Sequence, residues 1–200
     1  ADMFRRCIRC TVAVDGREIS FPCLPENNRY SNRETAESVD FCAVFETCTV
    51  PAAEVEVCWH VAVDGRITVR FRYHGRPGLP ELPALGLRFV MPTRAAGFAY
   101  EGLSGETYPD RMAGGVPGVY RVEGLPVTPY LVPQDCGVHM ETHWVEIRRD
   151  STLNNADRSR EAFFLRFEEE EGPFAFSCLP DTPEELENAF HPEELPPERR

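Results

Sequence analysis

Side chains able to do chemistry fall at a few places in this 200-residue chain, and their spacing limits what each can do. Paired carboxylates are the first candidates, since acid–base work most often needs them. Glu101, Glu106 and Asp110 lie within Tyr100–Arg111, a stretch that also holds Gly102, Gly105, Pro109 and Arg111. Two glycines and a proline so close together predict a shaped loop rather than one regular element. In such a loop the three acids read as shaping groups that pair with Arg111, not as catalysts. His139, Glu141 and His143 alternate on one face of a predicted strand, as metal ligands would. Four residues of strand separate the histidines by about 13 Å, however, too far to share one ion. Cys7 and Cys10 have C-x-x-C spacing, yet on a regular strand i and i+3 point to opposite faces, and no second pair completes a zinc site. Gly102-x-x-Gly105 and Gly114-Gly115 lack the strand-to-helix setting of a phosphate loop, and no Ser-His-Asp or Cys-His set stands in a credible context. No catalytic, cofactor-binding or metal residue is therefore assigned.

The elements that would position these groups are almost all strands. Cys7–Val14 and Arg17–Phe21 flank Asp15-Gly16, a strong hairpin signal. The words Val12–Arg17 recur residue for residue as Val61–Arg66. This predicts one turn solution reached twice, since the flanking sequences differ. After the second turn Ile67, Val69, Phe71 and Tyr73 alternate with Thr68, Arg70 and Arg72. Further strands are predicted at Val39–Val50, Glu54–Val63, Tyr120–Tyr130 and Val138–Arg148. Ala162–Phe167 and Phe174–Leu179 are expected to form a hairpin across the Glu168–Glu171 run, read as a solvated turn. Polar Pro25–Ser38 and proline-rich Arg76–Pro83 are connections, and Ser151–Arg160 is a polar turn region. One helix is expected. Thr182 is its N-cap, Pro183 its first residue and Glu185 completes a capping box, with Leu186 and Phe190 on one face and Pro192 ending it.

Composition narrows the class. The net charge is -12 and all 21 cations are arginine, which argues against nucleic acid and anionic membranes as partners. No apolar run approaches the roughly 20 residues of a membrane span. The length suits a single domain with one core. Eight cysteines are even in number, but a disulfide framework belongs to shorter chains with thin cores. The start at Ala1-Asp2-Met3 reads as the middle of a longer protein, where a signal peptide would not show, and the expected compartment is the cytoplasm.

Four collinear blocks carry a resemblance. Tyr100–Arg111 resembles Tyr-x-Gly-x-Gly-Pro-x-Glu-x-Tyr-x-Asp-Arg in the C-terminal domain of family 2 bacterial β-galactosidases, also called the β-galactosidase small chain. Leu82–Phe89 with Pro92 is similar to that family's Leu-Pro-Arg-Ile-Gly-Leu-Arg strand, with Ala84 in place of an arginine. Pro129–Gly137 with Thr142, His143 and Trp144 resembles Pro-Tyr-x-x-Pro-Gln-Glu-Asn-Gly…Thr-x-x-Arg-Trp, His143 replacing an arginine. Phe176–Leu186, His191 and Glu194-Leu195-Pro196 are similar to its closing strand and short helix.

The resemblance implies an all-β, antiparallel sandwich of the galactose mutarotase-like supersandwich type, residues 1–200 forming one domain of a larger protein with border strands missing. It implies a parent that hydrolyses terminal β-galactosides such as lactose by a retaining, two-glutamate mechanism, those acids standing about 5 to 5.5 Å apart. The acids and an expected Mg²⁺ belong to a barrel upstream, so this chain is expected to be silent alone and to have the parent's other domains and subunits as partners. The pocket-lining tryptophan of the family's Gly-Gly-Asp-Asp-Ser-Trp segment is not in the chain. Trp59 and Trp144 could instead stack on a sugar, though in patterned strands an indole is more often core. The alternatives are a free-standing carbohydrate-binding module, the small subunit of a two-chain β-galactosidase, and, last, an aldose epimerase.

Overall fold

The computed structural model describes residues 4–19, 35–82, 84–91, 93–106, 112–125, 137–151 and 161–195. The fold is all-β and antiparallel with one short helix, as alternation along the chain predicts. It divides into two compact units, residues 1–86 and 87–200.

The first unit is a five-stranded sheet in the order β2-β1-β3-β4-β5. Its strands are β1 (Phe4–Val14), β2 (Arg17–Ile19), β3 (Ser38–Thr47), β4 (Glu54–Ala62) and β5 (Ile67–His74). Side chains on one rung share a face, so the register sets Val55, Val57 and Trp59 beside Tyr73, Phe71 and Val69. Ala43, Val55 and Val57 on this apolar face are buried. The opposite face is charged, with Arg9 to Glu56 at 3.6 Å and His60 to Asp40 at 2.7 Å. Cys42 and Cys58 stand on one rung of that face, 4.1 Å apart at Cα, and are joined as a disulfide. No framework was expected in a chain of this length. The ladder makes the bridge locally, by bringing two strand cysteines opposite each other.

The repeated hexapeptide makes two different turns. Asp15 (φ 50°) and Gly16 (φ 74°) are both left-handed, as in a two-residue type I′ hairpin, with Val14 opposite Arg17. In the second copy only Gly65 is left-handed (φ 86°), and Gly65 N–H donates to the Ala62 carbonyl while Ala62 N–H donates to that of Arg66. That is a three-residue loop, so the expectation of one shared solution fails. The difference lies in the partners, since the Asp15 carboxylate accepts from the backbone of Glu37 and Ser38, whereas that of Asp64 accepts locally from Arg66 N–H.

In the second unit a four-stranded sheet runs β10-β9-β6-β7, with a β11-β8 ribbon beside it. The strands are β6 (Gly97–Leu103), β7 (Pro117–Glu123), β8 (Val138–Thr142), β9 (Trp144–Arg149), β10 (Phe163–Glu168) and β11 (Phe174–Ser177). Phe98, Tyr100 and Val145 form the core, with Tyr120, Val122, Ile147 and Phe167 of the sheet and Phe174 and Phe176 of the ribbon packed on it. The layers therefore stack as a sandwich within this unit. Helix α1 (Pro183–Asn188) has the expected capping box between Thr182 and Glu185. It stops at Asn188, and Ala189 in extended backbone turns inward at 4% exposure while Phe190 stands 87% exposed. Phe190 therefore does not share the apolar helix face with Leu186.

Four further expectations change. Tyr100–Leu103 is strand rather than loop, because Gly102 fills a rung opposite Gly118. Val138–Arg148 is two strands broken at His143, for Glu141 takes φ 52° and the chain passes from the ribbon into the sheet. β10 and β11 consequently pair with β9 and β8 and not with each other. The 84–91 segment holds no strand, although Phe89 packs on Phe167 at 5.1 Å. The expectations for residues 25–34, 107–111, 126–136, 152–160 and 196–200 lie outside the described residues.

Candidate functional site

The end of β6 and the β8–β9 corner bring most of the singled-out polar residues together. The β6–β9 ladder ends at Glu101 opposite Trp144, after which His143 N–H donates to the Glu101 carbonyl at 2.8 Å. The Leu103 carbonyl, two residues on, faces the same way, past the last rung of that ladder. Tyr100 supplies the donor instead, its hydroxyl reaching that carbonyl at 3.0 Å. Burial holds the phenol above its usual range. Gly102 is required where the corner crosses β6, for a Cβ there would lie 3.0 to 3.1 Å from the carbonyls of Met140 and Glu141 and the hydroxyl of Thr142.

His139 and His143 meet different fates. His139 is 3% exposed, stacked on Phe176 at 4.9 Å and against Tyr100 at 4.5 Å. Burial depresses its pKa, partly offset by the nearby Gly105 backbone, and among the described residues its Nδ1 has no hydrogen-bond partner. It is thus a neutral core residue packed between Tyr100 of β6 and Phe176 of the ribbon. His143 sits at the corner, with Nδ1 2.7 Å from Glu169 Oε1. That hydrogen bond raises its pKa, and Glu101 and Glu141 add to the effect. The two rings do not converge on a common ion, and among the described residues no three His, Cys, Asp or Glu side chains come together to hold one.

Each expected loop acid that is described has a partner other than Arg111. Glu101 accepts from Trp144 Nε1 at 2.7 Å, and Glu106 from Gly137 N–H at 3.2 Å. Asp110 and Arg111 lie outside the described residues. Trp144 does not offer a bare ring face on its Arg166 side, because that guanidinium lies 4.4 Å from the indole centroid. Trp59 is half-buried between Phe41 and Val69.

The sequence reading missed Glu169 and Arg149. Glu169 belongs to the acidic run read as solvated, yet its N–H donates to the His143 carbonyl and its carboxylate takes the His143 ring. The only available signal was the short distance of the run from Phe167. Arg149 is 2% exposed, donates to the carbonyl and hydroxyl of Thr93, and lies 6.0 Å from the Phe163 ring. Nearby burial pushes the Cys178 thiol up to about 11. What the cluster can do is hold shape, since its acids are engaged with donors at separated points.

Residues 14–200 match the family described as Beta galactosidase small chain. Over all 200 residues the chain is 57% identical to a protein of Latilactobacillus sakei named Beta-galactosidase small subunit, spanning 63% of that protein. It is 32% identical over 161 residues, 80% of this chain, to a Beta-galactosidase of Streptococcus thermophilus, and 28% identical over its whole length to Beta-galactosidase BgaC of Bifidobacterium adolescentis. It spans only 15% and 17% of those two. No solved structure matches. With its family match reaching from the first hairpin to the last residue, the chain belongs to the β-galactosidase small chain family.

Proposed function

We propose that this chain is a non-catalytic component of a cytoplasmic β-galactosidase that hydrolyses terminal β-D-galactosides such as lactose, with the reactive glutamates and a Mg²⁺ ion in other polypeptide. Its partners are the other domains or subunits of that enzyme. The observation that carries the proposal is the 57% identity, over the whole chain, to a protein named as a small subunit. The site supports a scaffold role, because Glu101, Glu106 and Glu169 are bound to Trp144, Gly137 and His143 rather than aimed together at a cleft.

The test is an exchange. These 200 residues replace the matching 63% of the Latilactobacillus sakei small subunit, and lactose hydrolysis is measured in cells that supply the rest of that enzyme. Recovered hydrolysis supports the proposal, and a folded but inactive chimera counts against it. Purified by itself, the chain should release no nitrophenol from o-nitrophenyl β-D-galactoside, and turnover there would overturn the non-catalytic assignment.

A further inference from the structure

The C-x-x-C pair behaves otherwise than a regular strand requires. Cys7 stands opposite Phe45 and Arg9 opposite Val44, so β1 advances two residues while β3 advances one. This is a β-bulge with Ile8 as the extra residue. Cys10 then stands opposite Ala43. Phe45 and Ala43 are two apart on β3 and share a face, so Cys7 and Cys10 share it as well. The expectation of opposite faces fails because one inserted residue restores the phase. Both thiols are free, Cys7 exposed and Cys10 partly so. The Cys7 sulfur turns along the strand toward Cys10, donating to the Arg9 carbonyl at 3.2 Å.

Spacing decides what such a pair could take. The bulge compresses three residue steps of β1 into a span opposite two steps of β3, about 6.8 Å. Parallel Cβ atoms that far apart do not meet the roughly 3.5 to 4.5 Å of a disulfide. Two metal–sulfur bonds of about 2.3 Å each, the length in zinc thiolates, span about 4.6 Å, which side-chain rotation at both cysteines can meet from Cβ atoms about 6.8 Å apart. Zinc would want two more ligands, and among the described residues no third His, Cys, Asp or Glu joins the pair. A soft cation content with two thiolates fits better.

We propose that Cys7 and Cys10 form a two-thiolate site for copper(I). Each thiol loses its proton on binding, so one ion displaces two protons and leaves a bis-thiolate of net charge -1. The site is separate from the polar cluster at the β8–β9 corner and does not rest on the galactosidase reading.

The experiment is an anaerobic titration of the purified chain with copper(I) in competition with bicinchoninate, without added thiol, so that Cys42–Cys58 stays joined. The expected result is one equivalent of competing binding that C7S and C10S each abolish and C48S leaves unchanged. Binding unaffected in the Cys7→Ser/Cys10→Ser double variant, or no binding by the natural chain, overturns the proposal. A second measurement needs no variant: copper(I) should slow iodoacetamide labelling of Cys7 and Cys10, mapped by peptide mass, but not that of exposed Cys48. Equal protection of Cys48 would mean adventitious thiol binding and defeat the assignment.

Discussion

Replacing Tyr100 by phenylalanine removes one oxygen from the centre of the second unit and nothing else. The ring stays between His139 at 4.5 Å and Tyr120 and Phe176 at 5.5 Å, so packing is untouched. What is lost is the donor to the Leu103 carbonyl. Leu103 is 9% exposed and lies past the end of the β6–β9 ladder, so among the described residues no ladder partner replaces that donor. A buried acceptor left bare costs about 1–3 kcal/mol. At about 2–4 °C per kcal/mol for a chain of this length, Tm should fall by roughly 2–12 °C. Tyr120→Phe is the control, since its hydroxyl donates at 2.7 Å to Val116, which is 60% exposed, and water can serve that carbonyl. Its cost should stay within about 0.5 kcal/mol. Urea unfolding followed by Trp144 fluorescence in a Trp59→Phe background reads the second unit alone. If Y100F and Y120F prove equally mild, the idea that Tyr100 stands in for a ladder partner is wrong.

Gly97→Ala would place a Cβ 2.5 Å from the Val122 carbonyl at φ 145°, so it should cost at least about 1–3 kcal/mol by chemical denaturation, while G86A, with open space, should be neutral. His139 is held neutral by burial, its folded pKa lying below the unfolded value near 6.5. Its contribution is therefore present above about pH 6.5 and is lost on acidification, by at most about 1.4 kcal/mol per pH unit. His139→Phe should flatten that part of the stability curve, and an unchanged slope would count against a buried neutral ring. His143 has the opposite sign, its Glu169 contact raising the pKa. Its contribution holds at low pH and fades as pH rises through the folded value, so H143Q should narrow its stability gap from the natural chain on going from pH 6 to 8. The Cys42–Cys58 bridge closes a 16-residue separation, for which the chain-entropy account gives up to about 3 kcal/mol. Reductant should lower the Tm of the natural chain but not that of C42S/C58S.

The strands were legible because alternation is local. Ile67, Val69, Phe71 and Tyr73 take one side of β5 as their spacing requires, and Thr182, Pro183 and Glu185 specify the start of α1 without help from elsewhere. Long-range partners are where legibility stopped. Nothing local says that β10 will join β9 rather than β11, because that depends on the chain changing layers at His143. Glu169 looked solvated for the same reason, its histidine being 26 residues away. The Cys7–Cys10 phase was misread because an extra residue in one strand shows only against its neighbour's register. The loop after β6 was recognised by its glycines, but not that its first residues stay in the sheet, since Gly102 matters for what crosses it.

The passage of one continuous stretch from ribbon to sheet at His143 has a mechanical meaning. A sandwich whose layers are joined only by distant loops can slide or part along its apolar seam. Here β8 and β9 form a stitch through that seam, with His143 held at the bend by both Glu101 and Glu169. Separating the layers would first require tearing the β6–β9 rungs, so shear and strand loss become one event. A unit stitched this way resists a sideways push as a single body.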